Sequence, residues 1–287
     1  MKIQTNYKIS EETSFKCGGK ASFYCEVEDI KEFCNLVKFH SGKLYVLGNG
    51  TKTLFSDNGF DGLVISTKKL NGMRFYSEEV AGEEKLLLEC ECGVRFDDMH
   101  IFCAEKELGG LEFCAGIPAS VGGAVIMNAG AFGDEIGRYV EKVEVFQDGS
   151  LKILHKNEIS FSYRKSSLKN YFITKVWFVV AKSKKNVIIN KQQLYLQKRF
   201  SSQPQGFANA GSVFKRAEGV VPAEIIDKLG LKGLREGGAM VSEKHAGFIV
   251  NTGNATASDI ARLIEKVKSK VFAETGIVLE EELILVD

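Results

Sequence analysis

Apolar and polar positions along this chain follow two periods, and the period switches often. Ser22, Tyr24 and Glu26 alternate with Phe23, Cys25 and Val27, which predicts a strand. Ile30, Phe33, Cys34 and Val37 then recur at helical spacing within Glu28–Lys38. Leu44–Leu47 and Gly62–Ile65 read as short strands on either side of a polar, glycine-bearing loop, which completes a β-α-β-loop-β unit. A strand is predicted over Lys85–Val94. A helix is predicted over 95–107, with Phe96, Met99, Phe102 and Cys103 as its apolar stripe. Val140–Leu154 reads as a hairpin turning at Gln147-Asp148-Gly149. Tyr171–Ala181 reads as a strand that carries the one tryptophan, Trp177, into the core.

The stretch Lys182–Arg199 is charged and glutamine-rich, with a helical pattern from about Val187. The main domain boundary is expected there, dividing the chain into 1–185 and 186–287. Beyond it, Pro222 suits the first turn of a helix running to Leu229 and stopped by Gly230. Gly247–Asn251 reads as a strand. Ser258 is the expected cap of a helix with Ile260, Leu263, Ile264, Val267 and Val271 on one side, ending near Gly276. Ile277–Val286 closes the chain as an expected strand. Strands and helices are interspersed without repeats, which predicts an α+β protein.

Composition narrows the function classes. A length of 287 residues supports two or three compact units. With 44% hydrophobic and 26% charged residues the chain is an ordinary globular one, and a net charge of +1 carries no footprint of a nucleic-acid or membrane-surface partner. No apolar run is long enough to span a bilayer, and Met1–Lys8 lacks the apolar segment of a secretory signal. The seven cysteines are scattered without a C-x-x-C pair. Cys90 and Cys92 share a strand face, but no second pair or histidine cluster follows. No metal site is expected, and a reduced, cytoplasmic setting is.

Two glycine-rich stretches carry candidate chemistry. In Gly116–Gly133, five glycines among small residues let the backbone approach another object closely and offer successive N–H groups to an anion such as a diphosphate. Ser120 and Asn128 add polar groups. A tight buried turn is the plainer alternative. The second stretch, Gly48–Thr53, is neither G-x-G-x-x-G nor a P-loop, because Thr53 stands at the third glycine position and the Gly-Lys-Ser/Thr ending is absent. Three polar residues stand out elsewhere. Ser212 lies in a close-packed Ala-Gly-Ser-Val-Phe run, Arg164 follows Tyr163 in a polar loop, and Glu282 interrupts an apolar segment between Val278 and Val286. Read singly, each also fits a turn serine, a solvated arginine and an edge glutamate. Lys215, Arg216 and His245 are weaker candidates for gripping an anionic substrate.

Taken together, these residues resemble a known family. Thr13–Ala21, Leu47–Leu54, Gly110–Ala124, Met127–Gly133, Tyr163–Ser166, Ala210–Lys215, Val241–Asn251 and Leu279–Leu283 match, in order and from end to end, the motifs of the UDP-N-acetylenolpyruvoylglucosamine reductase (UDP-N-acetylmuramate dehydrogenase) family. The resemblance implies an FAD-binding domain of the p-cresol methylhydroxylase type over 1–185, made of two α+β parts at about 1–70 and 71–185. It implies an α+β substrate domain over 186–287, whose C-terminal strand 277–287 returns to the active site. It implies FAD held by Gly48, Asn49, Gly50, Thr51, Lys52 and Thr53 and by Gly116, Ile117, Pro118, Ser120, Val121, Gly122, Gly123 and Ala124. Neither loop contains His or Cys, so the flavin is expected to be non-covalent.

The resemblance also implies a catalytic trio, Arg164, Ser212 and Glu282. NADPH would reduce the flavin, and the enolpyruvyl ether of a UDP-sugar would then be reduced in peptidoglycan precursor synthesis, a cytoplasmic step on which cell wall, shape and division depend. Ser212 would supply the proton. Arg164 and Glu282 would polarise the substrate carboxylate, Glu282 as a neutral donor favoured by an apolar strand face. Asn128, Tyr163, Lys215, Arg216 and His245 are the weaker substrate contacts, and no protein partner is implied. The interval between Arg164 and Ser212 is short for members with a tyrosine-bearing lid, so the lidless subgroup is expected. Departures from the family pattern occur at Ala119-Ser120, Phe132, Arg216-Ala217 and Gly247, and none touches the trio. Rival readings are another FAD oxidoreductase of the same fold, or a non-catalytic flavin- or nucleotide-binding protein.

Overall fold

The computed structural model describes residues 2–287. The chain forms two compact units, neither contiguous in sequence: one is mainly Cys25–Asn49 and Val64–Arg199, the other Gln4–Tyr24, Gly50–Leu63 and Phe200–Asp287. The expected boundary at 185/186 falls inside the first unit.

In the first unit, α1 (Ile30–Phe39) is capped by Asp29, whose Oδ1 accepts the Glu32 N–H at 2.8 Å. An antiparallel sheet follows the order Ser150–His155, Val140–Gln147, Phe172–Lys182, Glu83–Glu91, Met73–Val80. Its register sets Val143 opposite Val176 and Val176 opposite Cys90, so the buried faces of the three central strands coincide. The hairpin turns on Asp148 and Gly149, both at positive φ (52° and 77°), as a two-residue Asp-Gly loop requires. Trp177 is buried as expected, and its indole N–H donates to Glu89 Oε2 (3.0 Å) and to the Tyr76 hydroxyl (2.8 Å).

Three more helices belong to this unit. α2 (Phe96–Glu105) buries Phe96, Met99 and Cys103. α3 (Val121–Ile126) lies inside the glycine-rich stretch read above as loop. α4 (Lys185–Ser202) buries Ile188 and stays with the first unit through Arg199, because Gln192 Nε2 donates to the His100 carbonyl at 2.8 Å and Arg199 Nε to that of Ala115 at 3.0 Å.

In the second unit, four antiparallel strands take the order Ala208–Ser212, Phe248–Asn251, Ala239–Val241, Arg235–Glu236. α5 (Pro222–Lys228) begins with its proline in the first turn. α6 (Ala257–Thr275) buries Ile260, Leu263, Ile264, Val267 and Val271 in a core shared with Phe15, Leu54, Val213 and Ile249. Burial of such side chains contributes about 1.5–3 kcal/mol each. The cap of α6 is not Ser258 but Thr256, which forms a reciprocal capping box with Asp259. Ser258 is turned to Asp57 instead, donating from Oγ at 2.6 Å and from its N–H at 2.8 Å, while the Ala257 N–H reaches the other carboxylate oxygen at 2.8 Å. These bonds, with Asn251 Nδ2 to the Phe15 carbonyl at 2.8 Å, join 4–24 and 50–63 to the C-terminal part. The closing strand is shorter than expected: the continuous strand is Ile284–Val286, parallel to Thr53–Phe55, with a single antiparallel bridge of Glu281 to Phe214 before it.

Candidate active site

Ser212 ends a strand that is irregular between Asn209 and Ser212. Gly211, at φ 72°, makes the bend, and its N–H donates to Asn209 Oδ1 at 3.0 Å. A side chain there would strain the backbone. Past the bend, the chain runs antiparallel to 280–282: the Glu282 N–H donates to the Val213 carbonyl at 2.7 Å and the Lys215 N–H to that of Glu280 at 2.8 Å. Two candidates far apart in sequence, Ser212 and Glu282, thus meet on adjoining segments of the second unit.

Glu282 is 6% exposed, but it does not sit on the apolar face expected for it. Val278 is 77% exposed and the segment before Ile284 is not a strand. The neighbour of Glu282 is a cation. Lys52 Nζ lies 3.4 Å from Glu282 Oε1 and donates to the Ser212 carbonyl at 2.6 Å. The sequence reading placed Lys52 with the cofactor loop; its ammonium instead bridges the two catalytic candidates. No local signal in the sequence marks that contact.

Within the first unit, the two glycine-rich stretches touch. Asn49 Nδ2 donates to the Pro118 carbonyl at 3.2 Å, and a Cβ on Gly48 would lie only 2.1 Å from Ser120 Oγ. The expectation of bare N–H groups along Gly116–Ala124 holds only in part, since among the described residues those of Gly116 and Ser120 meet no backbone acceptor. The N–H groups of Ile117, Ala119, Val121, Gly122 and Ala124 all donate to backbone carbonyls, those of Val121 and Gly122 to Val94 and Cys92 at 2.8 Å. Gly122 is needed where α3 starts against the strand end at Cys92, because a Cβ there would lie 3.0 Å from Cys92 Cβ. By contrast, among the described residues the N–H groups of Asn49, Gly50 and Thr51 meet no backbone acceptor. Gly50 has φ 62°, so consecutive N–H groups there can converge on an anion.

Arg164 occupies the turn between Phe161–Ser162 and Lys165–Ser166 with φ 55°, a left-handed conformation that is costly for an arginine. Its Nη2 donates to the Gly130 carbonyl at 3.1 Å, and its guanidinium stands 5.1 Å from the half-exposed Tyr163 ring. Asn128, a candidate substrate contact, is fully buried and engaged on backbone at both ends of its amide: Nδ2 donates to the Ser162 carbonyl (2.9 Å) and Oδ1 accepts from the Gly137 N–H (3.0 Å). It clips the Arg164 hairpin in place.

Sequence reasoning missed Arg199. Its guanidinium is buried behind Gly116, 5.2 Å from the Phe132 ring, and its Nη2 has no hydrogen-bond partner among the described residues. Burial pulls this arginine below its usual pKa, and nearby Arg164 adds to the effect. An unpartnered buried N–H marks a place for an acceptor from outside the chain.

The weaker candidates of the second unit lie near its rim. Lys215 pairs with Glu280. Burial, with Arg216 and Lys232 adding their charge, holds His245 below the usual imidazole value, and its Nδ1 accepts the Gly247 N–H at 3.1 Å. All seven cysteines are free thiols, with Cys90 and Cys114 pushed well up by burial.

Known proteins resemble this arrangement throughout. Residues 203–286 match the family described as UDP-N-acetylenolpyruvoylglucosamine reductase, C-terminal domain, and residues 24–154 match an FAD binding domain family. The UDP-N-acetylenolpyruvoylglucosamine reductase of Thermotoga petrophila is 44% identical over 279 residues, which are 96% of this chain and 95% of that protein. The enzyme of the same name from Chloroherpeton thalassium is 40% identical over 301 residues, 99% of this chain and 93% of that protein. The crystal structure of UDP-N-acetylenolpyruvylglucosamine reductase from Thermus caldophilus superposes with a TM-score of 0.85 at 32% identity, covering 100% of both chains. With likeness of that extent running through both glycine-rich loops and the Ser212–Glu282 segments, the chain belongs to the UDP-N-acetylenolpyruvoylglucosamine reductase family.

Proposed function

We propose that this chain reduces UDP-N-acetylglucosamine enolpyruvate to UDP-N-acetylmuramate with electrons from NADPH, through bound FAD, as a step of peptidoglycan precursor synthesis. The observation that carries the catalytic assignment is the meeting of Ser212 and Glu282 around Lys52.

The residues present fit FAD. The N–H groups of Asn49, Gly50 and Thr51 suit its diphosphate, the absence of a Cβ on Gly48 lets the Ser120 hydroxyl pack against that loop, and the buried Nη2 of Arg199 suits an acceptor on the flavin. Bound FAD supplies the two-electron relay between NADPH and the enolpyruvyl methylene carbon. The chain's own residues handle charge and proton. As hydride adds to the methylene carbon, negative charge develops on the neighbouring carbon and its carboxylate. Arg164, held in a strained turn with its guanidinium fixed on Gly130, is the cation assigned to that carboxylate. Glu282 is the second residue assigned to that developing charge. Ser212 donates its hydroxyl proton to the carbon beside the carboxylate, completing the saturated ether. A serine hydroxyl is a weak acid, so alignment does most of the work.

The two family matches support FAD binding within 24–154 and the reductase C-terminal domain within 203–286. No helix among the described residues is long and apolar enough to cross a membrane, and a cytoplasmic site of action suits a UDP-sugar substrate. Between Arg164 and Ser212 the longer elements are a strand and α4, which fits the lidless subgroup.

Anaerobic stopped-flow of Ser212→Ala tests the assignment. Reduction of bound FAD by NADPH stays within a few-fold of wild type, and reoxidation by the enolpyruvyl substrate slows ~10²-fold or more, the scale of lost general-acid catalysis. Equal slowing of both half-reactions would remove Ser212 from the proton-donor role.

A further inference from the structure

Lys52 is fastened to the catalytic segment twice. Its carbonyl accepts the Ile284 N–H at 2.8 Å, where the strands beginning at Thr53 and Ile284 pair in parallel. Its side chain reaches back over Glu282, two residues before that pairing starts. The Ser212 carbonyl takes the ammonium at 2.6 Å, the N–H of the same peptide, that of Val213, donates to the Gly247 carbonyl at 2.8 Å, and the Val213 carbonyl accepts from the Glu282 N–H. The Ser212–Val213 peptide is thus pinned, and with it the direction in which the Ser212 side chain leaves the backbone. Gly211 is required here by its φ of 72° rather than by space, since a Cβ would make only ordinary contact with Lys52 Nζ, at 3.5 Å.

We propose that Lys52 is a positioning residue for the Ser212–Glu282 pair, one ammonium fixing the peptide of the proton donor and the carboxylate beside it. This rests on the reductase reading above. The inference follows from where a long cationic side chain on a glycine loop is aimed. A buried carboxylate needs a close cation, and a donor that is a weak acid depends on its alignment. Lys52 meets both needs while touching neither reacting atom.

The test compares wild type, Lys52→Met, Lys52→Arg, Glu282→Gln and the Lys52→Met/Glu282→Gln double variant, each as the FAD-loaded enzyme under anaerobic conditions. Lys52→Met is expected to keep FAD reduction by NADPH within ~3-fold of wild type and to slow reoxidation by the enolpyruvyl substrate ~10²-fold, as for a misplaced catalytic group. Lys52→Arg restores most of that rate. Adding Lys52→Met to Glu282→Gln costs clearly less than adding it to wild type, because contacting residues are non-additive. If Lys52→Met fails to fold, the double variant, which removes the facing carboxylate as well, folds and binds FAD. Wild-type reoxidation in Lys52→Met, equal slowing of both half-reactions, full additivity, or a double variant that takes up no FAD would each overturn the proposal. A wild-type enzyme reduced by NADPH but not reoxidised by the enolpyruvyl substrate would instead sink the reductase reading.

Discussion

Arg199 Nε donates to the carbonyl of Ala115 at 3.0 Å, and this one bond turns the other end of a buried guanidinium, Nη2, toward a place without a protein acceptor. Because Gly116 follows with φ 73° and no Cβ, the arginine stem packs flat against the turn; a Cβ would lie 2.9 Å from Arg199 Cδ. Arg199→Met keeps most of the stem and removes the donors. It is expected to raise the dissociation constant for FAD ~10-fold or more, the scale of a charge-assisted hydrogen bond. Quenching of flavin fluorescence on titration into apoprotein measures it. Unchanged affinity would separate Arg199 from the cofactor.

Arg164 should trade stability for activity. Glycine suits its left-handed turn position better than arginine does, by about 1–2 kcal/mol of steric cost. The bond to Gly130 and the greater freedom of glycine in the unfolded chain offset part of that gain. Arg164→Gly is therefore expected to unfold at a temperature no lower than wild type while reoxidation by the enolpyruvyl substrate collapses. Calorimetry beside stopped-flow checks both halves. A strongly destabilised variant would show that the arginine is kept for the hairpin.

Asp57 links acid stability to α6. Burial opposes its charge, but bonds from the Ser258 hydroxyl and from the N–H groups of Ser258 and Ala257 outweigh this and hold its carboxyl below the usual range. A carboxyl depressed on folding stabilises above its unfolded value, about 4, and loses that contribution as pH falls through the lower folded value. Asp57→Asn is expected to cost about 1 kcal/mol at pH 7, the scale of a lost helix-end acceptor. The gap between wild type and variant should narrow steadily as pH falls below about 4. Urea melts at pH 7 and at a series of pH values below about 4 decide it. A gap that stays constant over that series would mean that the charge on Asp57 is not the source.

Much of the fold is written locally. The α6 stripe from Ile260 to Val271 is buried side for side as its spacing predicts, because a helix that must cover a sheet has to repeat its apolar positions every three or four residues. The Asp148-Gly149 turn follows likewise from backbone preference alone. Where two local rules compete, sequence reading errs. Ser258 and Thr256 are both capable caps; Thr256 caps, and Ser258 lies in the first turn with its hydroxyl and N–H given to Asp57. At Gly122 a single glycine answers to two demands that sequence alone does not separate, a ligand loop and the start of α3 against Cys92.

The sequence by itself determined the α+β class, most elements, the two glycine-bearing loops and, through motifs running from end to end, the family. Those properties reside in neighbouring residues and in the order of short motifs. Tertiary structure alone decided that 4–24 and 50–63 go with the C-terminal part, that Glu282 faces an ammonium rather than an apolar strand, and that Arg199 points a buried donor outward. Each of these is a contact between residues distant in the chain. No periodicity records such a contact, because the free energy that fixes it appears only once both partners have been brought out of water together.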